Sequence, residues 1–195
     1  DDEPIKKPRS TINGQYSIVT NRHVGRDFMV FQVQFQPCAL HRLTGIPSYE
    51  LVNSFLDAET VFSKEIRLVN ERLSYTKHYT EMIPIVEDFL MYLINKSRKQ
   101  RLPIDQVSRI ILENTGNVSL DWLADQACVS QRQFYRQFIE REGVSPKLFS
   151  RITRFDNAVR LKNAHPHKDW LTIALELGYY DYQHLVRDFK DFTNL

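Results

Sequence analysis

Cysteine is scarce in this chain: Cys38 and Cys128 are the only two in 195 residues, and they lie far apart with no CxxC or other ligand spacing. A disulfide scaffold and a cysteine zinc site are therefore not indicated, and both thiols are expected to be reduced packing residues. Glycine and proline are also few, 6 and 8 residues, which excludes collagen-like and low-complexity character. Long apolar runs are missing. The longest, Phe89 to Ile94, falls far short of the roughly 20 residues that a membrane helix needs. The acidic start Asp1-Asp2-Glu3 is no signal peptide, so a cytoplasmic protein is expected. The first residue is not Met, from which a start further upstream is expected. An excess of one charge is nearly absent too: 26 basic and 24 acidic side chains leave +2. What the chain does have is 42% apolar residues, enough to bury a core and to exclude wholesale disorder.

The charged residues 1–14 show no periodicity and read as an extended lead-in. From Tyr16 and Ile18 the pattern turns strand-like, and in Phe28 to Phe35 the residues Phe31, Val33 and Phe35 alternate with Gln32, Gln34 and Gln36. That is the period of a strand with one wet face, so a few short strands are expected over about 15–36. They either complete a sheet begun before residue 1 or pack on the helices that follow. Beyond Pro37 the texture is helical, with segments predicted at 38–44, 48–55, 59–73 and 80–98. The last has Thr80 as its candidate cap and Pro84 near its first turn. The polar, basic stretch Asn95 to Arg101 before Pro103 marks a domain boundary. After it come helices at about 104–114, 119–127, 131–142, 146–163, 169–177 and 181–192. Ser119, Ser130, Ser145 with Pro146, and Asp181 supply start signals, and Gly116 and Gly143 supply stops.

Within this second unit the chain repeats itself. Ser130, Phe134, Arg136 and Phe138 recur 51 residues later as Asp181, Leu185, Arg187 and Phe189: a capping residue, apolar side chains at +4 and +8, and arginine at +6. Each copy follows a short amphipathic helix, Leu123 to Ala127 or Ile173 to Leu177, where the offset is 50, so the second turn is one residue longer. Ala124 and Ala174 stand where a crossing helix needs small side chains, and Gly178 suits a tight turn. Two tandem helix–turn–helix units are the economical reading. Residues four apart share a helical face, so Phe134 with Phe138, and Leu185 with Phe189, belong to the core. Arg132, Tyr135 and Arg136 then face outward on the first copy, and Tyr182, Gln183, Val186 and Arg187 on the second. Arginine forks onto guanine, glutamine onto adenine, and Tyr or Val touches a thymine methyl, which together suit a major-groove edge. The helix between the copies would be roughly 27 Å long at 1.5 Å per residue, against about 34 Å between successive major-groove faces. Between Ser130 and Lys162 eight basic residues oppose three acidic ones, a local +5. By that count the first unit supplies most of the salt-sensitive affinity.

These stretches resemble the AraC/XylS family of bacterial transcription regulators. The resemblance is carried by Ser119 to Ala127, Ser130 to Phe138, Gly143 to Phe149, the helix Arg151 to Leu161, and Ile173 to Lys190, and it covers about 104–195. It implies a double helix–turn–helix domain that reads double-stranded DNA with Arg132, Tyr135 and Arg136 from one helix and Tyr182, Gln183 and Arg187 from the other. Phosphate contacts are expected from Ser130, Gln131, Lys147, Arg151, His184 and Lys190. Family members usually continue with a Gly-x-x-Pro segment and one more helix, whereas this chain stops at Asn194-Leu195. The N-terminal half resembles the tail of a cupin-like sensor, with Phe28 to Phe35 as a last barrel strand and Gln36 to Gly45 as the turn into the helices. The expected fold is thus mostly α: residues 101–195 a double helix–turn–helix domain, residues 1–100 a small α+β sensor or dimerisation region. Expected partners besides DNA are RNA polymerase, a second copy through 80–98, and a small-molecule effector of unknown identity.

Catalysis is not expected. His165-Pro166-His167 reads as a surface turn because no third ligand is near, and His184 contacts phosphate or water. Asp105, Asp121, Asp125 and Asp181 read as caps or surface groups, and nothing pairs them for acid–base work. There is no Gly-rich phosphate loop and no activated nucleophile, so no cofactor or metal is expected. The competing reading is a sensor or protein-interaction module whose helices serve oligomerisation, with weak or no specific DNA binding.

Overall fold

The computed structural model describes residues 6–20, 23, 24, 26, 28–97 and 101–193. The described part is mostly helical. In chain order it contains β1 (Thr11–Asn13), α1 (Ala39–Thr44), a 3₁₀ turn (Ser48–Leu51), β2 (Phe55–Asp57), α2 (Ala58–Ser74) and α3 (Tyr79–Lys96). Then follow α4 (Ile104–Glu113), α5 (Leu120–Gln126), α6 (Gln131–Glu142), α7 (Pro146–Ala164), α8 (Trp170–Glu176) and α9 (Tyr182–Thr193).

The strands depart from expectation. Neither 15–20 nor 28–36 forms one, and Phe28, Met29 and Val30 are exposed. A ladder needs a partner, and no described segment pairs with them. The lead-in supplies a strand instead: Thr11, Ile12 and Asn13 pair antiparallel with Asp57, Leu56 and Phe55. The helix predicted at 48–55 is only the 3₁₀ turn, because Asn53 takes φ 54° and turns the chain into β2 while its side chain accepts from the Ser17 N–H at 2.8 Å. The α2 helix is interrupted at Ser63, where φ is 48°. Thr80 is not the cap of α3; His78 flanks that helix and gives it no side-chain bond. Within the predicted boundary Asn95 to Arg101, residues 98–100 lie outside the described ones, as do Asp1 to Glu3 and Asn194-Leu195.

The helices of the C-terminal half start where their caps dictate. Ser119, Ser130 and Ser145 accept from the backbone N–H of Trp122, Gln133 and Leu148, and Pro146 occupies the first turn of α7, where its missing N–H costs nothing. Three apolar clusters then form. One joins Ile12, Leu51, Ala58, Ile66, Val69 and Ile85. A second packs Ile104, Val107 and Ile111 of α4 against Leu123, Phe134 and Phe138. The third holds Ala158 of α7 with Ile173, Ala174 and Leu185. The α7 helix touches α4, α6, α8 and α9, so it ties the second cluster to the third.

The N-terminal elements close on the far end of α6. Ser48 Oγ donates to the Arg141 carbonyl at 2.6 Å, and the Cys38 thiol donates to Glu142 Oε1 at 2.9 Å. Cys38 is buried as expected, but Cys128 is exposed. Asp105 is no surface group: it is buried, and it accepts from Arg141 Nε at 2.8 Å and from the Leu102 N–H at 2.8 Å.

Two outcomes follow from this packing. Burial pushes the Glu142 carboxyl above its ordinary value of 4.5. A carboxyl raised in the folded state contributes fully below its unfolded pKa and loses that contribution as pH rises through the folded one. Glu142→Gln should therefore gain stability relative to the native chain as pH climbs from 4.5 upward; urea midpoints across that range check this, and parallel curves would contradict it. Gly116 takes φ 80°, and a Cβ there would lie 2.3 Å from the Ser150 carbonyl oxygen of α7. Gly116→Ala should lose more than about 1 kcal/mol in urea unfolding.

Candidate nucleic-acid interface

The two helix–turn–helix units share the hydrogen bonds that open their turns. In the first, the Ala127 and Val129 N–H groups bond to the Leu123 and Ala124 carbonyls at 3.0 and 3.2 Å. In the second, the Leu177 and Tyr179 N–H groups bond to the Ile173 and Ala174 carbonyls at 3.1 and 3.0 Å. Both turns need a left-handed residue at the same step. The second uses Gly178 at φ 72°, while the first puts Cys128 there at φ 55°, a conformation that an L side chain adopts only under local strain. Ala124 and Ala174 are fully buried, as a close helix crossing requires. The turn of the second unit is one residue longer, and its helix is capped by Asp181, which accepts from the His184 N–H at 2.9 Å.

Capping fixes which side of each second helix faces out. Ser130 and Gln133 form a reciprocal capping box at the start of α6. Phe134 and Phe138 are buried at 2% and 1% exposure, which leaves Arg132, Tyr135 and Arg136 on the open side. In α9, Leu185 and Asp188 are buried, and Tyr182, Gln183 and Arg187 are exposed. The six side chains expected at base edges therefore stand on two solvent-facing surfaces. Among the described residues Arg132, Arg136 and Arg187 have no ion pair or side-chain hydrogen bond.

The residues expected at phosphate divide. Lys147 and Lys190 are exposed with no ion pair among the described residues. Gln131 Nε2 donates to Asp121 Oδ1 at 2.7 Å, and His184 Nδ1 lies 2.8 Å from Asp181 Oδ1. The His184 N–H and ring hold the Asp181 carboxyl below its usual range. Ser130 is engaged in its capping box. Arg151 is turned away altogether: its Nε and Nη2 donate to Asp188 Oδ1 at 2.9 and 2.6 Å, and Nη2 also reaches Asp191 Oδ2.

The local +5 between Ser130 and Lys162 shrinks on the same inspection. Arg141 pairs with Asp105, Arg151 with Asp188 and Asp191, and Arg160 with Asp156. Arg154 bonds to the Gly178 and Gly116 carbonyls, and Lys162 to those of Pro166 and Lys168. Only Arg132, Arg136 and Lys147 of the eight remain uncommitted, against Arg187 and Lys190 in the second unit.

Two buried ion pairs were not anticipated. Asp105–Arg141 locks α6 to α4, and Asp188–Arg151 locks α9 to α7. The Tyr179 hydroxyl donates to Asp188 Oδ2 at 3.0 Å, and burial together with the Asp188 charge pushes its phenol well up. A signal for Asp188 exists in the sequence: it lies three residues after Leu185, on the face that turns inward. Among the described residues no cluster of three or more His, Cys, Asp or Glu could hold a metal ion, and no helix is long and apolar enough to cross a membrane.

Residues 123–195 match the family model described as a helix-turn-helix domain. The match begins inside α5, so α4, which supplies Ile104, Val107 and Ile111 to the same core, precedes it. No curated protein and no solved structure matches the chain. The duplicated turn geometry and this match together make residues 123–195 similar to a helix–turn–helix DNA-binding domain of the AraC/XylS type.

Proposed function

We propose that this protein is a sequence-specific transcription regulator that sets α6 and α9 into neighbouring major grooves of one duplex. The observation that carries the reading is the pair of equivalent helices whose outward faces hold arginines with no carboxylate partner among the described residues. Arg132, Tyr135 and Arg136 contact bases in one groove, and Tyr182, Gln183 and Arg187 in the next. Lys147 and Lys190 contact phosphate, while Ser130, Gln131 and His184 sit at helix N-termini where backbone N–H groups favour an anion. Arg151 drops out of the phosphate set because its guanidinium is engaged by two carboxylates. With three free cations against two, the heads share the salt-sensitive affinity more evenly than the linear charge count implies.

Residues 101–195 form the DNA-binding unit in this reading, and residues 1–100 the sensor or dimerisation part. The α3 helix buries Met82, Ile85, Val86 and Leu93 and leaves Tyr79, Ile83, Met91 and Ile94 exposed on its other side, which supports pairing with a second copy.

Selection of bound duplexes from a random pool provides the target. On it, Arg136→Ala and Arg187→Ala should each lose about 1–3 kcal/mol, confined to particular base positions. Lys147→Gln should weaken all sequences alike and lower the slope of log K against log salt by about one. Arg160→Gln, whose charge Asp156 already balances, should leave that slope unchanged. Recovery of no preferred sequence, or binding insensitive to salt and to all four substitutions, would favour an oligomerisation module instead.

A further inference from the structure

The two heads meet in a close joint built on two glycine turns. The turn that ends α4 lies directly on α7: a Cβ on Gly116 would come within 2.3 Å of the Ser150 carbonyl oxygen and 3.2 Å of the Arg154 nitrogen. The next residue, Asn117, presses its side chain onto the turn of the second head, where a Cβ on Gly178 would lie 2.5 Å from Asn117 Nδ2. Arg154 stands between these turns. Its Nη2 donates to the Gly116 carbonyl at 3.4 Å and its Nη1 to the Gly178 carbonyl at 3.5 Å. Its guanidinium carbon lies 5.1 Å from the centre of the Tyr179 ring. Tyr179 in turn donates to Asp188 of α9.

The two hydrogen bonds are long, and each alone is weak. Their placement is what matters: one planar guanidinium spans a carbonyl from each head, on glycines that both adopt the left-handed conformation. From there the contacts run through Tyr179 and Asp188 to the second recognition helix. Any swivel of one turn against the other would have to break this fork.

We infer that Arg154 is a positioning residue that fixes the angle and separation of the two recognition helices, and so sets which spacing of half-sites the protein accepts. Arg154 touches no base. It acts by making the two heads one rigid reader, so that the second contact is gained without loss of orientational freedom. One inserted base pair displaces the far half-site by about 3.4 Å and turns it by about 35°, a misfit that a rigid reader rejects and a swivelling one absorbs.

This rests on the DNA-binding reading above. The test uses the full chain and the sequence obtained by selection, in duplexes carrying both half-sites at the selected spacing, both with one base pair inserted, and either half-site alone. The native chain should prefer the selected spacing by about tenfold or more. In Arg154→Ala that ratio should fall to about threefold or less, with binding to each single half-site within about twofold of native. Arg154→Lys keeps the charge and the stem but offers one nitrogen in place of two held apart by the guanidinium plane, and it should lose the spacing preference as the alanine variant does while unfolding at the same temperature as the native chain. An unchanged spacing ratio in both variants would overturn the inference, and so would an equal loss on single and double sites, since that is the mark of a damaged fold. If the native chain selects no sequence, the DNA-binding reading falls and this inference falls with it. If it selects one but shows no spacing preference, only the inference falls.

Discussion

Burial along α7 is the constraint on which the C-terminal half depends. Ser150, Thr153 and Ala158 are buried, and their small side chains let the helix accept α4 and α6 on one stretch and α8 and α9 on another. At 19 residues it is about 28 Å long. Neither head could keep its core closed without it: Phe149 packs on the second cluster, with its ring 5.5 Å from that of Phe138, and Ala158 completes the third. Each recognition helix is also tied to its scaffold by one buried carboxylate–arginine pair, Asp105–Arg141 or Asp188–Arg151. Such pairs add little net stability over apolar packing, but a lost partner leaves a buried charge, so they penalise any other register of the helix.

The same pairs explain the distribution of charge. A nearly neutral chain is an unpromising nucleic-acid binder on composition alone. The sign of the interface comes instead from sorting. Arg141 and Arg151 are matched to carboxylates and Arg154 reaches two carbonyls, while Arg132, Arg136 and Arg187 on the outer faces of α6 and α9 are left unmatched among the described residues. The N-terminal elements add a link of their own, since Ser48 and Cys38 engage the last turn of α6. The α6 helix is thereby held from both the scaffold side and the N-terminal side, while the side that carries Arg132, Tyr135 and Arg136 stays open.

Much of the second half was legible in the sequence. Caps at Ser119, Ser130 and Ser145, the 51-residue repeat and the four-residue spacing of Phe134 with Phe138 are local signals, and local hydrogen bonds and helical periodicity obey them. The strand reading of 28–36 failed for a non-local reason: alternation tells which face of a strand would be wet, but not whether a neighbour exists to complete the ladder. The actual strands are three residues each, too short to show any period. The charge argument failed similarly. Counting along the chain from Ser130 to Lys162 could not register Asp105, Asp188 and Asp191, which approach from elsewhere and neutralise Arg141 and Arg151. Arg154 was invisible as a joint because its partners are backbone carbonyls, which carry no sequence signature.

The central claim is that two heads on one scaffold read two adjacent major grooves from the same side of the duplex. Methylation interference at guanine N7 on the selected target tests it most directly, because that atom is exposed only in the major groove. The account predicts two interfering patches about one helical turn apart, centred on the same face. A single patch, or two on opposite faces, would contradict it.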